Sequence, residues 1–246
     1  MTAQNILVTG ASRGIGAVIA LELARRGNTV GCLSRKGEGP EGVSIPAELK
    51  ARLVMLKGDV NNTESMAAAL EAFKKATGSI SGLVNNAGIH IEAPSDKQPV
   101  AEFEQVLRTN TTATFAVCQQ AFPYLKDSGG LIVNIGSFFD KMGVKRNAAY
   151  CASKAAVAAI TRCLAVEWAN KGIRVMTVAP GYIETDLNKE ILASEKVKTF
   201  LASRIPAGGP AQAGEVAALV ASLFQERIPF LTGETIYLDG AQGMAL

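Results

Sequence analysis

Tyr150 and Lys154 stand four positions apart inside residues 147–160, a run rich in alanine and free of glycine and proline. Such a run favours helix, and a spacing of four puts both side chains on one helical face. A phenol titrates near ~10, and a cation held beside it favours the phenolate and lowers that value. A tyrosine tuned this way can trade a proton with a carbonyl or alcohol oxygen near neutral pH. Ser137 precedes Tyr150 by 13 positions and follows the apolar run 131–135. A strand ending there would set its hydroxyl over the mouth of a cleft. A Tyr-x-x-x-Lys pair alone is more often an amphipathic tyrosine beside a solvated lysine, so its chemistry depends on the elements that position it.

Those elements alternate. Residues 5–9 form a short apolar run, a buried strand by pattern, followed by Gly10-Ala11-Ser12-Arg13-Gly14-Ile15-Gly16 and a helical run, 17–27, that ends in glycine. Strand, glycine turn and helix make an anion site: glycines let the backbone approach a pyrophosphate, and the helix start offers free N–H groups. Residues 29–36 are the second strand and its exit. Folds that select NAD carry a carboxylate here for the ribose 2′-hydroxyl. This chain has Ser34, Arg35 and Lys36, with Arg13 in the first turn. Guanidinium suits a phosphate, so NADP(H) is the inferred cofactor, with NAD(H) possible. A solvated loop would also carry Arg35 and Lys36.

Residues 37–46 are a breaker-rich loop, and a short helical piece at 47–51 leads to a third strand at 52–60. Asp59 at its end suits an adenine amino group or an N-cap for the helix at 62–77. A fourth strand, 80–88, ends in small polar residues. A helical region follows at 102–125, as one helix or two; Asn110 inside it is a poor helix former and implies a kink or a functional demand. Strands at 129–137, 173–181 and 235–240 complete seven, with helices at 185–203 and 215–225. This alternation predicts a Rossmann-like, doubly wound parallel α/β sheet in a single domain over residues 1–246, with ligands beyond the carboxyl ends of the strands.

Composition bounds the rest. The chain has 246 residues, 48% hydrophobic and 19% charged, with a net charge of +3, too mild for a nucleic-acid partner. Four cysteines (Cys32, Cys118, Cys151, Cys163) lack paired spacing, and the lone His90 excludes a histidine-rich metal site. No leader pattern or apolar run of about 18 residues is present, which points to the cytoplasm and away from a membrane. His90 reads as an ordinary loop histidine, Cys151 as a packed thiol and Trp168 as packing on the long helix.

Together these segments resemble the short-chain dehydrogenase/reductase family along essentially the whole chain. Residues 9–16, including Gly10, Ser12, Arg13, Gly14, Ile15 and Gly16, are similar to its cofactor glycine motif. Asp59 and Val60 match its adenine-binding pair, and Asn85, Asn86, Ala87 and Gly88 its fourth-strand motif. Pro180, Gly181, Ile183 and Thr185 lie in a segment, 180–186, similar to its nicotinamide side. Asn110, Ser137, Tyr150 and Lys154 fall where its catalytic tetrad falls. The resemblance implies that Tyr150 is the general acid in carbonyl reduction and that Lys154 lowers its pKa and binds the nicotinamide ribose. It implies that Ser137 holds the substrate oxygen, that Asn110 holds a kink and a relay water, and that Thr185 and the backbone near Ile183 hold the carboxamide. It also implies a homotetramer.

Segments 180–186 and 231–235 are most similar to bacterial 3-oxoacyl-acyl-carrier-protein reductases, which use NADPH; an acyl-thioester substrate and an acyl carrier protein partner are the corresponding expectations. Three features depart from that pattern. Basic charge before strand five is diluted to Lys126 and Asp127, with Lys171 nearby; residues 205–210 lack an arginine; and Phe138-Phe139 is bulky. A small ketone, diol, polyol or cyclic alcohol is the alternative substrate, and a non-catalytic dinucleotide sensor the remote one.

Overall fold

The computed structural model describes residues 3–41, 44–185 and 188–244, apart from the side chain of Ile191. In chain order the elements begin β1 (Asn5–Thr9), α1 (Gly14–Arg25), β2 (Thr29–Ser34), α2 (Ala47–Lys50), β3 (Leu53–Lys57), α3 (Thr63–Thr77) and β4 (Gly82–Asn85). They continue with α4 (Val100–Leu107), a π-helical turn (Arg108–Thr112), α5 (Ala113–Leu125), β5 (Gly130–Ile135), a 3-10 turn (Phe138–Asp140), α6 (Ala148–Trp168) and β6 (Ile173–Pro180). The last are β7 (Ile183–Glu184), α7 (Lys189–Leu192), α8 (Glu195–Arg204), β8 (Ala211–Gln212), α9 (Ala213–Gln225) and β9 (Thr235–Leu238).

Seven strands pair in parallel in the order β3-β2-β1-β4-β5-β6-β9, as the alternation predicts. Parallel strands need crossover helices on both faces, so side chains of both parities are buried. Ile6 and Val8 of β1 join Ile19, Leu23, Val220 and Phe224 under α1 and α9, while Leu7 joins Met66, Phe73, Val117 and Leu164 under α3, α5 and α6. Strand order reverses between β1 and β4, and the crevice there opens at the carboxyl ends of the strands.

Several boundaries differ from the sequence pattern. The charged stretch 185–203 reads as one helix but forms two, α7 and α8, because Ser194 takes an extended backbone (φ −64°, ψ 126°). Asp186 and Leu187 of that stretch lie outside the described residues. The N-cap of α3 is Asn62, whose Oδ1 accepts from Ser65 N at 2.8 Å, so the capping alternative for Asp59 does not hold. β7 and β8 form a separate two-stranded pair that periodicity did not reveal.

The helix and its extension over Ala148–Lys171 have the length and apolarity to cross a membrane, but 44% of their most apolar 18 residues is buried inside the protein, against the sheet. A buried polar chain fixes it there. Asn85 Nδ2 donates to Asn134 Oδ1 (2.9 Å), Asn134 Nδ2 to Thr161 Oγ1 of α6 (2.9 Å), and Thr161 shares a proton with Thr177 of β6 (2.7 Å). Satisfied networks of this kind specify one register, here between the strand leading to Ser137 and the helix bearing Tyr150.

Candidate active site

The glycine turn is held against β4 by side chains. Thr9 Oγ1 accepts from Asn86 N (3.0 Å) and Ala87 N (3.1 Å), and Asn86 Nδ2 reaches the carbonyls of Thr9 (3.0 Å) and Gly10 (3.1 Å). A Cβ at Gly16 would lie 2.3 Å from both Asn86 Nδ2 and Gly10 O, and Gly10 and Gly14 have φ of +65° and +57°. Only glycine closes this turn. No side chain caps the start of α1, and its first turn has no acidic residue. These N–H groups at a strand-to-helix turn are the donors a pyrophosphate takes. Arg13 and Arg35 are exposed, and neither forms an ion pair among the described residues, whereas Lys36 lies 3.7 Å from Glu38. Ser34 is buried and its hydroxyl is used within its own loop, donating to Glu38 O (2.9 Å) and accepting from Gly37 N (3.1 Å). It shapes the turn that presents Arg35. Asp59 Oδ1 accepts from Asn61 N (2.9 Å), leaving its other oxygen for a donor beyond β3. These features fit a dinucleotide carrying an extra phosphate.

Ser137, Tyr150, Lys154 and Asn110 meet at the carboxyl end of β5. Ser137 is 7% exposed and caps the 3-10 turn, accepting from Phe139 N at 3.3 Å. Lys154 is 6% exposed; its Nζ donates to Ile135 O at 2.8 Å and lies 5.6 Å from the Tyr150 ring centre. Burial pushes Lys154 down to about 8. Burial pushes Tyr150 up to about 12, with the Ser137 hydroxyl opposing that rise. Dehydration is the leading cause of both shifts, and it acts on Tyr150 in the direction opposite to that expected of the Lys154 cation. At neutral pH Tyr150 is a protonated acid beside a cationic lysine.

Asn110 is 1% exposed and sits in the π-helical turn. Its Oδ1 accepts from Ile89 N (2.8 Å), and its Nδ2 donates to Ile89 O (2.9 Å) and Ser153 Oγ (3.0 Å). The whole amide is spent joining the loop after β4 to α6, which makes Asn110 a positioning residue; its predicted kink is the π turn. On the far side of the crevice Pro180 ends β6 and Gly181 N donates to Leu238 O (2.9 Å). Asn188 Nδ2 donates to Ile183 O (2.8 Å) and its Oδ1 accepts from Thr185 N (2.7 Å). The backbone expected to hold a carboxamide already binds one.

Two features of the site escape sequence reading. Aromatic rings crowd Tyr150: Phe139 lies edge-on at 6.0 Å, and Tyr182 packs on Phe138 (5.6 Å) and Phe139 (6.2 Å). His90, expected to be a loop residue without a task, packs at a tilt of 48° on Tyr150 with ring centres 4.6 Å apart and bonds through Nε2 to Asn147 Oδ1. Its position two residues after Gly88 was the available signal. Among the described residues no cluster suits a metal ion, and the four cysteines are free; burial pushes Cys32 and Cys118 up to about 12.

A parallel sheet with a glycine turn at its switch point and a Ser-Tyr-Lys group beyond β5 defines a dinucleotide-dependent oxidoreductase. The family model described as Enoyl-(Acyl carrier protein) reductase matches residues 10–243. The chain is 36% identical to a 3-oxoacyl-[acyl-carrier-protein] reductase FabG of Vibrio cholerae, covering 97% of this chain and 96% of that protein. It is 33% identical to 3beta-hydroxysteroid dehydrogenase 1 of Eggerthella lenta (99% and 94% covered). A gluconate 5-dehydrogenase from Burkholderia cenocepacia, solved in complex with NADP and tartrate, superposes with a TM-score of 0.88 at 29% identity, over 100% of this chain and 97% of that one. The chain belongs to the short-chain dehydrogenase/reductase family and is an oxidoreductase of alcohol and carbonyl groups.

Proposed function

We propose that the protein is a single-domain, NADP(H)-dependent reductase that converts a compact ketone to a secondary alcohol. The carrying observation is Tyr150 beside the Ser137 hydroxyl, with Lys154 buried behind them on Ile135 O. Bound NADPH would supply hydride to the carbonyl carbon. Ser137 Oγ–H and Tyr150 OH hold the carbonyl oxygen and stabilise the charge that develops on it. Tyr150 then gives its proton to that oxygen; an alkoxide is far more basic than a phenolate, so a raised phenol pKa does not block the transfer. Lys154 stabilises the resulting phenolate. Gly14, Ile15 and Gly16 at the start of α1 would bind pyrophosphate, Asp59 and Val60 adenine, Ala87 and Gly88 the ribose side, and Arg13 and Arg35 the 2′-phosphate. The structure bound to NADP and the reductase relatives support this cofactor.

The rings packed about Tyr150 favour a compact substrate. Lys126 and Lys171, the residues available to an acidic carrier, sit before β5 and β6, where Gly130 N meets Gly172 O (3.2 Å). That is the amino end of the sheet, roughly 20 Å from Ser137 for a six-residue strand. A carrier docked there would not face this chain's own site. A 3-oxoacyl thioester stays as the second reading because of the 36% identity to a reductase of that class. The test is oxidation of NADPH and NADH with a panel of small ketones and a 3-oxoacyl thioester. Ketone turnover with NADPH, abolished in Tyr150→Phe while cofactor binding persists, is expected; turnover of the thioester alone would establish the second reading.

A further inference from the structure

We propose that His90 is a specificity-determining residue that accepts a hydrogen bond from a hydroxyl next to the reacting carbonyl, so that the preferred substrates are α-hydroxyketones reduced to vicinal diols. This rests on Tyr150 being the proton donor. Hydrogen bonds on the page fix the tautomer. Asn147 Nδ2 donates to Lys145 O at 2.9 Å, which orients the amide and aims Oδ1 at the imidazole. A carbonyl oxygen only accepts, so His90 Nε2 carries the hydrogen and the neutral ring keeps a free lone pair on Nδ1.

That lone pair has no protein partner among the described residues, and His90 is exposed at the mouth of the site. The ring cannot drift. Ile89 before it is bonded at both N and O by Asn110, and Ala93 after it donates to Arg146 O (3.0 Å). The His90 and Tyr150 ring centres lie 4.6 Å apart, within the span of a few bonded carbons. On this rim Glu92 and Arg146 pair with each other at 2.9 Å, so their charges offset. A neutral nitrogen acceptor pairs with an O–H or N–H donor rather than with a carboxylate. In the reaction hydride adds to the carbonyl carbon, Tyr150 protonates its oxygen, and His90 neither gains nor loses a proton.

Acetoin and butanone, which differ by one hydroxyl, are the probe pair. His90→Phe keeps a ring on Tyr150 and removes both nitrogens. It should lower kcat/KM for acetoin on the order of tenfold or more beyond any change seen with butanone, as loss of a partner to a substrate hydroxyl does. Equal losses on both ketones, or an unchanged rate with acetoin, would overturn the proposal. A second readout needs no turnover. The chain has one histidine, so a nitrogen-15 spectrum of histidine-labelled protein with oxidised cofactor reports on His90 alone. Nδ1 should appear unprotonated and move with acetoin but not with butanone; a protonated Nδ1, or no difference between the ligands, would refute the assignment. Turnover surviving in Tyr150→Phe would instead sink the proton-donor reading, which the spectrum does not depend on.

Discussion

Burial of Lys154 and Tyr150 sets opposite slopes on the stability of the protein. The folded pKa of Lys154, about 8, lies below its usual value of 10.5. Between these limits the unfolded chain binds more protons than the folded one, so stability rises with pH there and the cost of the buried cation is complete below pH 8. Tyr150, raised to about 12, acts in the other direction: the unfolded phenol ionises first, and stability falls from about pH 10 upward. Lys154→Met should remove the rise between pH 8 and 10.5 in a series of thermal melts. At neutral pH it should relieve about 3 kcal/mol at most, less the loss of the bond to Ile135 O, while activity collapses. A melting temperature as pH-dependent as that of the wild type would show that the cation is not dehydrated. Residue types and spacing made Tyr150, Lys154, Ser137 and Asn110 legible from the sequence. They did not make His90 legible, because its meaning comes from Asn147 and Tyr150, more than fifty positions away.

At the scale of elements, the π turn at Arg108–Thr112 is where one helical path becomes two functions. Its extra residue lets Asn110 face the loop after β4 and α6 at once, and π turns are often found at functional sites. Asn110→Ala would strand Ile89 N and O and weaken the hold on Ser153. Each buried polar group left unpaired costs about 1–3 kcal/mol, so a loss of about 3 kcal/mol is expected. A lower urea midpoint with an unchanged slope would register it. Activity should fall through kcat as Ile89 and His90 loosen over Tyr150. The sheet was readable because buried parallel strands leave short apolar runs between helices, and the glycine turn because Gly10 and Gly16 have no steric substitute. Stretch 185–203 was misread as one helix because charge and apolar spacing persist across the break at Ser194. The buried chain from Asn85 through Asn134 to Thr177 was invisible, since each member is an ordinary polar residue until the strands align.

At the scale of the molecule, assembly and cofactor choice both depend on what the surface leaves unpaired. Val166 of α6 is 82% exposed and Phe115 of α5 is 42% exposed. The expected tetramer would cover these helices, and Val166→Glu should lower the mass seen by light scattering. Cofactor choice turns on charge at the carboxyl edge of β1 and β2. Arg13 and Arg35 approach from separate elements, α1 and the exit of β2, which the parallel pairing of β1 with β2 brings side by side. Neither has an acidic partner among the described residues, so neither must break an ion pair to receive a phosphate. A hydrogen bond to a charged group is worth about 1.5–3 kcal/mol, or roughly ten- to hundredfold in affinity. Arg35→Ala should therefore weaken NADPH binding by that factor and leave NADH unchanged. Because the contact is electrostatic and exposed, the wild-type preference for NADPH should shrink as salt is raised, and the variant's, resting on Arg13 alone, should shrink less. Equal losses for both cofactors would mean that Arg35 supports the β2 turn rather than the 2′-phosphate, and the preference would then have to rest on Arg13.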